Sequence, residues 1–127
     1  MPTEKRKLGN LGEKVAKEYL QSKGYEIQGE NYLKPWGEID IIAKKDNVLI
    51  FVEVKTKIKK TEKQGYLSPE ANIGRLKGIK LIRTAETYLM EKNIPENVFW
   101  RIDVISVELD YAVRKAKVKH FEDAIVG

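Results

Sequence analysis

Gly37-Glu38-Ile39-Asp40-Ile41-Ile42 and Ile50-Phe51-Val52-Glu53-Val54-Lys55 are two short apolar runs, each carrying charge where a core residue is expected. A buried carboxylate without a partner is costly or neutralises, so it persists where it is paired or holds a cation. The linker Lys44-Lys45-Asp46-Asn47 has the Asp/Asn chemistry of a tight turn, which makes the two runs a β-hairpin. With Asp46 and Asn47 as the two loop residues, Lys45 faces Val48, and counting back sets Asp40 opposite Glu53, their Cβ atoms about 4.5–5.5 Å apart. Lys55 has the parity of Glu53 and points to the same face, one pleat further on. An odd-length loop would put Asp40 and Glu53 on opposite faces, so the juxtaposition depends on an even one.

Outward from the hairpin, Leu8, Leu11, Val15 and Tyr19 follow helical spacing with Gly12, Ala16 and Leu20 beside them, which predicts a helix over about 5–22 stopped at Gly24. Residues 25–34 have weak strand character and are bounded by Pro35. The stretch 56–66 is polar, Lys-rich and aperiodic, and it reads as a mobile basic loop extending to about 68. Ser68-Pro69-Glu70 then offers a cap, a first-turn proline and an early acid for a second helix, with Gly78, Leu81, Ile82, Ala85 and Leu89 as its buried stripe and an end near Asn93. Residues 98–107 alternate as a strand, and 111–121 read as an edge strand. The order is αβββαββ, an α/β (α+β) arrangement, and 127 residues suit a single domain spanning 1–127.

Composition narrows the chemistry. With no cysteine and a single His120, disulfides, thiolate metal sites and multi-histidine sites are excluded, and a Ser-His-Asp triad is disfavoured. Any metal is therefore held by carboxylates, and oxygen-only ligation selects Mg²⁺, Mn²⁺ or Ca²⁺. The longest apolar run is too short to cross a bilayer, and the opening residues lack the apolar core of a signal peptide, so the expectation is a cytoplasmic protein without membrane association. Net charge is +5. Lys55, Lys57, Lys59, Lys60 and Lys63, then Arg75, Lys77, Lys80 and Arg83, then Arg114, Lys115, Lys117 and Lys119 form three basic clusters that either line one polyanion groove or make a solvated surface.

Two acids and a lysine at one end of a hairpin, beside basic surface, suit metal-assisted hydrolysis of a phosphodiester. The acids hold a divalent cation, Mg²⁺ or Mn²⁺, and the lysine orients the nucleophile or stabilises developing charge. A dication between Asp40 and Glu53 also offsets two carboxylates that would otherwise repel.

Asp40, twelve residues, then Glu53-Val54-Lys55, within αβββαβ order, resembles the PD-(D/E)xK nuclease superfamily. The resemblance extends through Gly9-Asn10-Leu11-Gly12-Glu13, Gly37-Glu38-Ile39-Asp40, Phe51-Val52-Glu53-Val54-Lys55, Lys77 and Arg101-Ile102-Asp103-Val104 to the YraN-type family of uncharacterised bacterial proteins, over about residues 8–107. It implies a restriction-endonuclease-like core, a central mixed sheet flanked by helices, similar to archaeal Holliday-junction resolvases. It further implies Asp40 and Glu53 as metal ligands, Lys55 as the catalytic lysine, Glu13 reaching the site from the first helix, and Lys77 as an auxiliary cation. Ile39 stands where the superfamily name has proline, which is usual for the YraN-type pattern.

The expected function is a metal-dependent DNA endonuclease acting on branched or junction DNA, as a homodimer because symmetric incision needs two copies of one site. Lys57, Lys59, Lys60, Arg75, Lys77 and Lys80 are the expected nucleic-acid contacts. The alternatives are a nucleic-acid-binding module of the same fold, or an RNA-directed nuclease using the same residues. Glu38 shares the face of Asp40 and is left unassigned. Glu13 reads either as a site residue or as an exposed pair with Lys17. Lys77 reads either as covering the helix stripe or as contacting phosphate. Asp103 reads as half of a salt bridge, Trp36 as a rim aromatic or a base-stacking surface, and His120 as incidental.

Overall fold

The computed structural model describes residues 3–59 and 72–125. Helix α1, Glu4–Ser22, begins where the Thr3 hydroxyl accepts the Arg6 N–H at 3.1 Å, a side-chain cap that satisfies one of the first-turn donors. It ends with Gly24 at φ +89, a left-handed conformation that costs glycine nothing. Strands β1, Glu26–Lys34, and β2, Gly37–Lys45, lead into β3, Val48–Ile58; then follow α2, Arg75–Glu91, β4, Phe99–Asp110, and β5, Lys115–Phe121.

The five strands form one sheet in the order β1-β2-β3-β4-β5, antiparallel except for the parallel pair β3–β4. Parallel neighbours need a crossover, and α2 lies within it. Asp46 and Asn47 both have positive φ, +51° and +64°, the geometry of a two-residue type I′ turn, and Lys45 pairs with Val48. The even loop expected from the sequence is therefore present. The α+β class, the element order and the mixed sheet agree with a restriction-endonuclease-like core.

Alternation along β3 sorts the core onto two faces. Ile50 and Val52 join Ala16 and Leu20 of α1 with Ile41, Ala43, Ile105 and Val107. Leu49 and Phe51 join Leu81, Ala85 and Tyr88 of α2 with Ile42 and Ile102. One helix thus covers each face. Glycines set how closely the helices lie: a Cβ on Gly12 of α1 would stand 1.8 Å from Thr56 Oγ1, and one on Gly37 would stand 2.5 Å from Thr84 Oγ1 of α2. Both close approaches fall at the end of the sheet that carries Asp40 and Glu53.

Several boundaries differ from the sequence reading. Strand β3 continues through Ile58, where a loop was expected from residue 56, because its register with β4 runs on to Ile58↔Leu109. Helix α2 starts at Arg75 behind a Gly74 cap without a side-chain hydrogen bond, and residues 72–74 are not helical. Ser68-Pro69-Glu70, the rest of the expected basic loop, and Lys60 lie outside the described residues. The buried stripe of α2 is Gly78, Leu81, Thr84, Ala85 and Tyr88, with Ile82 and Leu89 only partly covered, since Gly37 draws the Thr84 side of the helix onto the sheet. Strand β4 runs to Asp110, and a turn through Arg114 at φ +51 delays β5 to Lys115. Among the described residues no helix is long and apolar enough to cross a membrane.

Candidate active site

The ladder between β2 and β3 stops at Ile41↔Val52. From there β2 stays with β1 as far as Lys34↔Gly37, while β3 follows β4 to Ile58, so the two strands part. Asp40 and Glu53 are the first residues beyond the fork. The Asp40 carboxylate accepts the Val54 N–H at 2.7 Å, a side chain taking a backbone donor where strand pairing ends. Glu53, only 7% exposed, turns to the α2 face, where Lys77 Nζ lies 2.6 Å from its Oε1. Asp40 and Glu53 open into one cleft of about 530 Å³, walled by Gly37, Glu38, Leu76, Lys77, Lys80 and Leu81. The sequence count of opposed residues holds, but the pair bridges a gap between diverging strands rather than sitting flat on a ladder.

Lys55 lies one pleat beyond Glu53 on the same face, its Nζ donating to the Asn72 carbonyl at 2.6 Å just before α2. Glu13 comes from the opposite helix, carried in by the Gly12–Thr56 approach. Burial foremost, then Glu38, pushes its carboxyl above the ordinary value, with Arg6 and a hydrogen bond from Asp40 acting against this. Asp40 is pushed up to about 7, by burial first and by Glu53 next, with Glu13 and Glu38 adding to it and the Val54 N–H opposing. The structure thus brings Glu13, Glu38, Asp40, Glu53 and Lys77 to one end of the sheet, with Lys55 beside them. The four carboxylates are close enough to act on one another electrostatically, and Lys77 pairs directly with one of them, Glu53. Among the described residues no three acidic or histidine side chains converge on a single metal-ligating point.

The expected nucleic-acid contacts divide. Lys77 reaches a site carboxylate, which neither of its two sequence readings anticipated, and Lys80 lines the cleft. Lys57 and Lys59 instead approach Glu108 and Asp110 of β4, at 3.6 and 3.9 Å. Arg75 faces a separate hollow with Ile79, Ile82 and Ile125. The lysines of β5 stand on the edge of the sheet beyond β4.

A second buried carboxylate stands on the neighbouring strand. Asp103 is fully buried and receives Arg101 Nε at 2.9 Å, the Asp123 N–H at 2.9 Å and His120 Nε2 at 2.7 Å. His120 Nδ1 meets the Tyr19 hydroxyl of α1 at 3.2 Å. The salt bridge expected for Asp103 is present, and His120 is not incidental: it ties β5 and α1 to β4. The alternation of β4 gave no sign of this, because the partner lies 17 residues away across a turn.

The chain matches the model of "Uncharacterised protein family UPF0102" over residues 12–107. It is similar to a UPF0102 protein of Clostridium botulinum (strain Loch Maree / Type A3), 38% identical over 119 residues and 92% of each chain. It is likewise similar to a UPF0102 protein of Caldicellulosiruptor saccharolyticus, 41% identical over 106 residues, covering 84% of this chain and 86% of the relative. The matched span contains Gly12, Glu13, Asp40, Glu53, Lys55 and Lys77, which are among the residues that carry the YraN-type resemblance. This chain belongs to the uncharacterised protein family UPF0102, the YraN-type family of the PD-(D/E)xK nuclease-like group.

Proposed function

We propose that the protein is a metal-dependent endonuclease that hydrolyses phosphodiester bonds of DNA, with branched or junction DNA as the substrate class. The observation that carries this reading is the fork itself: Asp40 and Glu53 sit where β2 and β3 part, with Lys55 one pleat on. Clustered carboxylates, with Asp40 pushed up to about 7 by burial first and by Glu53 next, are poorly suited to a phosphate groove unless a cation joins them. Mg²⁺ fits such a donor set, since it is held by one or two carboxylates and fills its remaining positions with water and substrate oxygens. Asp40 and Glu53 would hold it, and when bound it supplies Lewis acidity at the phosphoryl oxygen and acidifies water.

The protein's own groups then have separate tasks. The Val54 N–H fixes the rotamer of Asp40. Lys55 places an ammonium beside the reacting phosphate, stabilising charge that grows on its oxygens. Lys77 neutralises Glu53 in the structure described here, and release of that contact frees Glu53 as a ligand and Lys77 for phosphate. Lys80 on the cleft wall holds a neighbouring phosphate.

The alternative is a binding module of the same fold, and the Lys77–Glu53 pair is the observation that favours it. Cleavage of labelled four-way-junction, flap, duplex and single-stranded DNA and of RNA, with Mg²⁺ or Mn²⁺, separates the two. The endonuclease reading expects metal-dependent cutting of one substrate class that falls at least about 10²-fold in Asp40→Ala and in Lys55→Ala. Binding without cutting, in any substrate and metal, would establish the module instead.

A further inference from the structure

Beside the cleft, the Arg83 guanidinium of α2 lies 4.4 Å from the ring centroid of Trp36. Trp36 belongs to the turn between β1 and β2 and directly precedes Gly37, a wall of the cleft. The missing Cβ of Gly37 lets α2 close onto this turn, where that atom would stand 3.3 Å from the Lys80 carbonyl. Lys77, Lys80 and Arg83, spaced by three along α2, therefore run from Glu53, along the cleft wall, to Trp36. Four residue-to-residue steps of chain lead from Trp36 to Asp40, about 13 Å when extended, a distance of a few nucleotides.

The Trp36 indole N–H is buried without an acceptor among the described residues, so stacking rather than a hydrogen bond holds the ring. A guanidinium at a protein surface binds an aromatic face less strongly than a nucleobase does. Its partner is thus exchangeable. A base within a duplex has both faces covered by its neighbours, whereas an unpaired base has a face to offer.

We propose that Trp36 is a stacking seat for one unpaired nucleobase of the substrate, with Arg83 yielding the ring face and turning to the adjoining phosphate while Lys80 holds the next one. This rests on the nucleic-acid reading of the cleft and sharpens it: the strand entering the Asp40–Glu53 site is single-stranded at Trp36, as at the branch point of a junction or flap. If the Trp36–Arg83 stack only closed the turn, its loss would affect paired and unpaired strands alike.

The test is equilibrium binding without metal, by fluorescence anisotropy, of a labelled single-stranded oligonucleotide as DNA and as RNA and of the matching blunt duplex. Trp36→Ala is expected to weaken single-strand binding about 5- to 100-fold, the range one base–aromatic stack supplies, and duplex binding less than about 2-fold, with Trp36→Phe retaining most of the affinity. Trp36 and Trp100 are the two tryptophans of the chain, so in Trp100→Phe the emission reports Trp36 alone. It should be quenched by the single strand and not by the duplex, a readout that leaves the seat itself unaltered. Equal losses on both ligands, no loss, or unquenched emission in a protein that binds the strand would overturn the proposal, as would absence of strand binding. Neither assay requires cleavage. A protein that never cuts yet shows the Trp36 effect refutes only the endonuclease reading, and Asp40-dependent cutting without a Trp36 effect refutes only this seat.

Discussion

Asp40 and Asp103 are carboxylates set into adjoining regions of one sheet, and their surroundings are opposite. Asp103 is fully buried but surrounded by donors, Arg101, His120 and the Asp123 N–H. Burial alone would raise its pKa; these partners, His120 and Arg101 foremost, outweigh burial and hold it below the ordinary carboxylate value. Among the described residues Asp40 has one backbone donor, the Val54 N–H, and it is pushed up to about 7, by burial first and by Glu53 next, with Glu13 and Glu38 adding to it. One carboxylate has its charge balanced within the protein; the other is left short of positive charge. A group whose balance is internal serves the fold, and a group kept unbalanced at a cleft awaits a proton or a cation.

Deleting Asp103 has the largest expected effect. Asp103→Ala strips Arg101 and His120 of their shared partner and is expected to destabilise the protein by about 3 kcal/mol, read by urea denaturation, since removing one side of a buried ion pair leaves the other uncompensated. The placement of Glu13 yields the next largest effect. Gly12→Ala forces a methyl into Thr56 and should cost about 1–3 kcal/mol of stability, partly restored when Thr56 is also shortened to Gly.

The remaining effects lie in pH dependence, where the two acids act with opposite sign. A depressed folded-state pKa stabilises above the unfolded value, so the contribution of Asp103 is lost as pH falls below about 4 and through its folded pKa. A raised one acts the other way. Asp40 holds its proton more tightly when folded, so its contribution is complete below about pH 4 and disappears as pH rises toward 7. Asp40→Asn should therefore gain melting temperature over wild type at pH 7.5 relative to pH 5, and a constant difference between the two pH values would contradict a carboxyl raised by burial and by Glu53.

Much of this was legible in the residues, for reasons that differ by element. The Asp-Asn turn specifies a two-residue loop, and alternation then propagates register along both strands, so the Asp40–Glu53 juxtaposition follows from counting. The fork beyond Ile41 and Val52 does not, because it arises when β2 keeps its ladder with β1 while β3 keeps its own with β4, a competition between strands distant in sequence. The same non-locality hid His120 behind Asp103. Thr56, Lys57 and Ile58 read as loop because their polar character masks a strand whose backbone is paired to β4. Gly12 and Gly37 were visible as residues, yet what each lets approach, Thr56 or Thr84, is known only once the helices are docked. Arg83 was legible as one cation among several; its stack on Trp36 depends on that docking.

We propose that the fork of β2 and β3 is completed by a divalent cation that offsets its clustered carboxylates. Calorimetric titration of Mn²⁺ into the wild type and Asp40→Asn at pH 7, in two buffers of different ionisation enthalpy, tests it without any substrate. Binding by the wild type with net proton release, abolished in Asp40→Asn, is the expected result. Equal binding by both proteins, or no binding by the wild type, would contradict it.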